Sequence, residues 1–100
     1  MERHILIKKI IEYCSVSYPE PKPEDSEEIK QNQNIRIQCV NELTYILSTS
    51  LPDEDLEEII WGFIRNIDNN PYSDSEKQIR YSFGINLIRL IESLNLMEVI

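Results

Sequence analysis

Five prolines, none of them inside an apolar-periodic stretch, cut this chain of 100 residues into four pieces. Pro19, Pro21 and Pro23 alternate with Glu20 and Lys22, while Pro52 and Pro71 stand alone. A proline has no amide hydrogen and clashes with the preceding turn, so a regular helix does not run through these points. The alternating prolines favour an extended, polyproline-like link instead. Between the breaks, apolar residues recur three and four apart, the period of one face of an α-helix. No stretch alternates with the period of two that a half-buried strand needs, and no Gly-rich pair marks a hairpin. The chain is thereby directed to an all-α fold.

The first segment, about residues 2–17, puts Leu6, Ile7, Ile10, Ile11, Tyr13 and Cys14 on one side. The second spans about 25–49, where Asp25 and Glu28 have the spacing of a capping box. Its stripe is Ile29, Val40, Leu43 and Leu47, flanked by Ile35, Cys39 and Ile46. Asn32, Gln33 and Arg36 interrupt that face. An unpaired buried guanidinium is not tenable. Either the first half of this helix runs beyond the core, or Arg36 meets an acid such as Glu12 or Asp68.

The third segment, about 53–69, is the cleanest amphipathic stretch, with Leu56, Ile59, Ile60, Phe63, Ile64 and Ile67 on one side. The fourth, about 74–94, opens at Ser73-Asp74-Ser75-Glu76, a second capping-box pattern. Its main stripe is Ile79, Phe83, Leu87, Leu90, Ile91 and Leu94, with Tyr81, Ile85 and Ile88 forming another. Gly84 sits inside this helix at a cost of about 1 kcal/mol. Two of the three links are short, which makes neighbouring helices antiparallel. The predicted fold is a single domain over residues 1–100, an antiparallel up-down four-helix bundle. In it the starts of the second and fourth helices share one end.

Seventeen isoleucines, nine leucines and no alanine point to an AT-rich coding sequence, hence to a low-GC bacterium or its phage. Cys14 and Cys39 fall on apolar faces, as buried free thiols do in a reducing compartment. The apolar stretch near the N-terminus is too short for a signal peptide, and no run approaches the ~20 residues that span a bilayer. A cytoplasmic protein is expected.

Charge is concentrated. Between Asp53 and Glu76 stand eight acids against one base, Arg65, so this window carries seven of the eight net negative charges. A net charge of −8 argues against nucleic acid and against anionic membranes as partners. Acids in a first helical turn gain about 0.3–1 kcal/mol each from the helix dipole. That accounts for several of them one by one, but not for the scarcity of bases along the third helix. The only tryptophan, Trp61, projects away from the Ile60-Phe63-Ile67 stripe, and Glu54, Glu57, Glu58, Arg65 and Asp68 surround it at helical spacing. An indole among carboxylates on an outward face suits a protein interface with a basic partner, and equally a boundary residue that covers a flank of the second or fourth helix. Tyr72, just beyond the helix, is a further candidate contact.

Enzyme chemistry finds little support. His4 is the only histidine, there is no CxxC pair, no GxGxxG and no P-loop, and paired Glu-x-x-His motifs are absent. Acyl carrier proteins are also small acidic bundles, but they carry Asp-Ser-Leu at a helix start, where this chain has Asp74-Ser75-Glu76. No cofactor or metal is expected. In size, charge and helical class the chain resembles the immunity proteins that neutralise nuclease toxins. Colicin-type members carry a tyrosine pair before a proline, whereas Asn70-Pro71-Tyr72 has one tyrosine after it, so no residues carry over. The expectation is a stoichiometric inhibitor of a basic, nuclease-like toxin domain, monomeric or weakly dimeric. The alternative is an adaptor that homodimerises through the fourth helix.

Overall fold

The computed structural model describes residues 2–99, with side chains described as far as Leu96. Helix α1 spans Arg3–Ser17, α2 Glu27–Thr49, α3 Leu56–Asn66 and α4 Asp74–Val99, and a single 3-10 turn, Ile67–Asn69, extends α3. Among the described residues there is no strand. The chain is an all-α helical bundle of 42 × 30 × 23 Å.

Side-chain caps set the starts of α2, α3 and α4, while α1 begins after Glu2 without one, and two starts lie later than the sequence pattern suggests. At α2 the cap is Ser26, whose Oγ accepts from the Ile29 amide at 3.3 Å. Asp25, expected to lead a capping box with Glu28, instead accepts from the Lys22 amide at 2.8 Å and closes the turn after the proline link. At α3, Pro52, Asp53 and Glu54 form a turn in which the Glu54 amide reaches the Leu51 carbonyl at 3.1 Å. The cap passes to Asp55, which accepts from the amides of Glu57 and Glu58 at 2.9 and 3.4 Å. Each unpaired first-turn amide is a strong donor, and an Asp or Ser in extended conformation just ahead of it is the side chain that reaches it. At α4 half of the expected capping box forms: Ser73 accepts from the Glu76 amide at 3.2 Å, while the Glu76 carboxylate accepts from Arg80. That helix continues past residue 94 to Val99.

The core draws on every helix. Leu6, Ile10 and Cys14 come from α1, Cys39, Leu43 and Leu47 from α2, Leu56, Ile60 and Ile64 from α3, and Phe83, Leu87, Ile88 and Ile91 from α4. Helix α4 packs against the other three. Its predicted second stripe is used inside the bundle. Ile88 is 4% exposed, and Tyr81 and Ile85 are half-buried against the core. An aromatic chain runs through the middle, with Tyr13–Tyr18, Tyr18–Phe83 and Phe63–Phe83 centroids 6.4, 5.4 and 5.8 Å apart. These separations lie within the range where edge and offset geometries attract.

Gly84 explains how α3 and α4 lie so close. It is buried, and a Cβ placed there would run into Ile64, meeting Cδ1 at 2.8 Å and Cγ1 closer still. The helix accepts the entropic cost of a mid-helix glycine because a neighbouring side chain occupies the space.

Two stripe residues face solvent. Ile29 is 52% exposed and Ile11 is also exposed. The first half of α2 runs along a polar cleft and not over the apolar centre, which accounts for its mixed face. That cleft, about 410 Å³, is lined by Tyr18 from the end of α1, by Glu28, Asn32 and Arg36 from α2, and by Ser75, Gln78 and Asn86 from α4. The starts of α2 and α4 therefore do meet. Gln33 donates to the Pro19 carbonyl at 2.9 Å and ties the proline link to the helix. Arg36 donates to the Gln33 Oε1 at 2.9 Å, so its described partner is an amide and neither Glu12 nor Asp68.

At the other end, Arg3 donates to the Glu54 carbonyl and to the Ser50 hydroxyl. Leu6, Pro52, Leu56, Ile91 and Asn95 border one small cleft there.

Candidate functional site

Helix α3 has a buried side and two open flanks. Leu56, Ile60, Ile64 and Ile67 face the core. One flank carries Glu57, Glu58, Trp61 and Arg65, with Asp68 two turns beyond Trp61 on the 3-10 turn. Glu54 precedes them in the turn that leads into the helix. The other flank carries Ile59, Gly62, Phe63 and Asn66.

Trp61 is half-buried and packed against the edge of the core. It is a boundary residue with an apolar inner side and an open outer one. Its acidic neighbours differ in what holds them. Glu58 pairs with Arg65 at 3.2 Å with both side chains largely in solvent, an arrangement worth a fraction of a kcal/mol (about 0.2–1). Asp68 accepts from the Tyr81 hydroxyl and stands 4.0 Å from the Lys77 ammonium. The hydrogen bond to Asp68 holds the Tyr81 hydroxyl above its usual pKa. For Glu54 and Glu57, no cation lies within 4.0 Å of the carboxylate among the described residues. The flank is thus partly neutralised by the chain's own bases, and at the α3 start Arg3 donates to the Glu54 carbonyl and lines one cleft with Glu57.

Tyr72 does not join this group. It lies on the other side of α3, with the Arg80 guanidinium stacked 4.1 Å from its ring centroid. The structure therefore unites Glu57, Glu58, Trp61, Arg65 and Asp68, sets Glu54 at the edge, and separates Tyr72.

Arg80 is the charged residue that sequence reasoning missed. It is 3% exposed, the buried charge among the described residues, whereas Arg36 is half-buried. Its Nε donates to Glu76 at 2.9 Å and its Nη1 to Glu42 at 2.8 Å. Burial opposes its charge, but these two carboxylate hydrogen bonds outweigh the desolvation and raise its pKa. Cys39 lies close by, and burial pushes its thiol up to about 12 against the pull of Arg80. Burial likewise raises Cys14 to about 11. Both cysteines are free and buried, as their stripe positions suggest. The signal for Arg80 was present: Glu76 and Arg80 are four apart, and Arg80 shares the Phe83-Leu87 side of α4.

Among the described residues, no three His, Cys, Asp or Glu side chains come together as metal ligands. No described helix is long and apolar enough to cross a membrane. Comparison with protein-family models, curated proteins and solved structures gives no match.

Proposed function

We propose that this chain is a stoichiometric binding protein of immunity or antitoxin type, directed at a basic, nuclease-like protein domain. The observation that carries the reading is the Trp61 flank of α3, where a half-buried indole stands among Glu54, Glu57, Glu58 and Asp68. Tryptophan at an interface supplies buried area at low entropic cost, and carboxylates around it select a basic surface and speed its approach. A basic domain covered in this way loses access to a polyanionic substrate, because the same lysines and arginines would otherwise face phosphates.

The competing adaptor reading needs a free apolar stripe on α4. Ile88 is buried and Tyr81 and Ile85 are half-buried against the core, which weighs against it.

The test has two parts. Gel filtration of the isolated chain gives a monomer under this reading, and a salt-insensitive dimer under the adaptor reading. Stopped-flow binding to a basic domain encoded beside it gives an association rate that falls steeply with salt. Trp61→Ala then weakens the complex by about 2 kcal/mol or more, the loss seen on truncating an interface hot spot. Normal binding by a folded Trp61→Ala protein would sink the assignment of this flank.

A further inference from the structure

On the flank of α3 away from Trp61, a groove of about 670 Å³ runs between α2 and α3 and reaches Arg80 of α4. Its glycine is the first clue. Gly62 is mid-helix with ordinary helical backbone, and a Cβ there would meet nothing within 4 Å. Packing that requires a glycine, as at Gly84, is therefore not the reason for this one, and a mid-helix glycine costs about 1 kcal/mol against alanine. What the missing side chain leaves is open space in the groove.

The walls are the second clue. Tyr45 is 70% exposed, an unusual place for a large aromatic ring. Ile46, Ile59 and Phe63 line the same groove half-buried.

Charge is the third clue. No lysine lines the groove, and its one arginine, Arg80, is buried and committed to two carboxylates. The Glu42 side chain is 45% exposed. It gives Oε2 to Arg80, while Oε1 has no protein partner among the described residues. The groove thus offers apolar walls and a half-used carboxylate at its lip.

We infer that this groove receives an apolar side chain of the basic protein partner, with an adjacent lysine or arginine of that partner on Glu42. The inference rests on the reading that the chain binds a basic protein, and it adds a second seat for that partner beyond the Trp61 flank.

A small probe carries the same two chemistries. In 15N-resolved NMR titrations of the free protein, 4-phenylbutylammonium is expected to shift the amides of Tyr45, Ile46, Gly62 and Phe63. It should bind about fivefold more tightly than 5-phenylvalerate, the discrimination that one partly exposed ion pair supplies. Gly62→Leu fills open space and leaves the helix intact, and it should abolish these shifts. Tyr45→Ala, an exposed substitution, should weaken them. Trp61→Ala should leave them unchanged. Equal binding of the two probes, or shifts that survive Gly62→Leu, would overturn the inference. So would concentration-dependent broadening of these amides in the free protein, because a second copy would then be the occupant.

The complex separates this inference from the reading beneath it. Gly62→Leu should lower affinity for the basic partner about tenfold, with the association rate still falling in salt. Unchanged affinity overturns the groove and leaves the Trp61 flank standing. No salt-dependent binding to a basic partner overturns both.

Discussion

The two glycines of the chain provide a paired experiment. Both lie within helices, and replacing either by alanine removes about 1 kcal/mol of backbone entropy cost. At Gly62 nothing opposes that gain, since the new methyl meets open space. Gly62→Ala should therefore stabilise by about 1 kcal/mol. At Gly84 the methyl would overlap Cγ1 and Cδ1 of Ile64, a side chain that is itself buried. Overpacking a well-filled core costs about 1–3 kcal/mol, so Gly84→Ala should come out between neutral and about 2 kcal/mol destabilising. For a domain of this size each kcal/mol shifts Tm by roughly 4–8 °C, which makes the two variants easy to separate. Urea unfolding followed by circular dichroism at 222 nm, with Trp61 fluorescence as a second probe, measures both. Ile64→Ala completes a double-mutant cycle, because alanine lacks both overlapping atoms. Alone it costs about 2–5 kcal/mol, and in the Gly84→Ala background it should cost at least about 1 kcal/mol less. If Gly84→Ala raises the midpoint as much as Gly62→Ala does, the close approach of α3 and α4 is not what the glycine serves.

Other expectations follow from the same physical terms. Arg80→Met leaves Glu42 and Glu76 facing each other without the guanidinium. Removing one partner of a buried pair costs about 3–5 kcal/mol, and partial exposure of both acids reduces this to roughly 2 kcal/mol in a urea titration. Arg80→Lys should recover only part of that loss, because one ammonium does not reproduce the two-armed geometry. The cysteines fix an alkaline limit. Their folded pKa values of about 11 and about 12 lie above the ordinary 9.0, so the unfolded chain loses these protons first. The stability contributed by the neutral buried thiols is complete below pH 9 and is lost as pH rises through 11 to 12. Unfolding midpoints that hold steady from pH 8 to 11 would contradict this, as would fast native-state thiol labelling at pH 8. Asp55→Ala should cost about 1 kcal/mol as a lost cap, whereas Asp53→Ala stays within about 0.5 kcal/mol because Asp53 lies in the turn ahead.

The periodic segments were legible because proline placement and apolar spacing are local properties. The all-α class, the four helices and the burial of Cys14 and Cys39 all follow from them. Helix starts were less legible. Asp25, Ser26, Asp53 and Asp55 are all good cap residues, and the choice among them depends on turns that the neighbouring prolines set. Arg80 escaped because its partner Glu42 is 38 residues away. The sequence shows one half of that network, the Glu76 contact, and a four-residue Glu–Arg spacing is ordinary on a solvated helix face. Arg36 misled for the complementary reason. A stripe position predicts burial only where another helix covers it, and the first half of α2 meets a polar cleft. Tyr72 follows the same logic. It is near the acidic window in sequence, but the 3-10 turn and Pro71 carry the chain around to the other side of α3.

Much of the acid in this chain is already committed. Asp55 caps α3, Asp25 closes a turn, Glu42 and Glu76 hold Arg80, and Glu27 stands beside Lys30. On the Trp61 flank, Glu58 and Asp68 each have a base nearby, in Arg65 and Lys77. With Arg3 donating to the Glu54 carbonyl and lining the cleft beside Glu57, four acids against three bases leave a local surplus of one charge. The acids that remain, acting over a Debye length of about 8 Å, favour one sign of partner and make its arrival salt-dependent. They are too few to supply the affinity a stoichiometric inhibitor needs, because exposed ion pairs contribute only about 0.2–1 kcal/mol each. Tight binding therefore has to draw on apolar area, and α3 borders two sources of it. The half-covered indole lies on one flank, and the Gly62 groove lies on the other. A partner that touched only the acids would bind quickly and leave quickly. One that covers Trp61 and enters the groove would be slow to dissociate, so salt should govern the on-rate and these two apolar seats the off-rate.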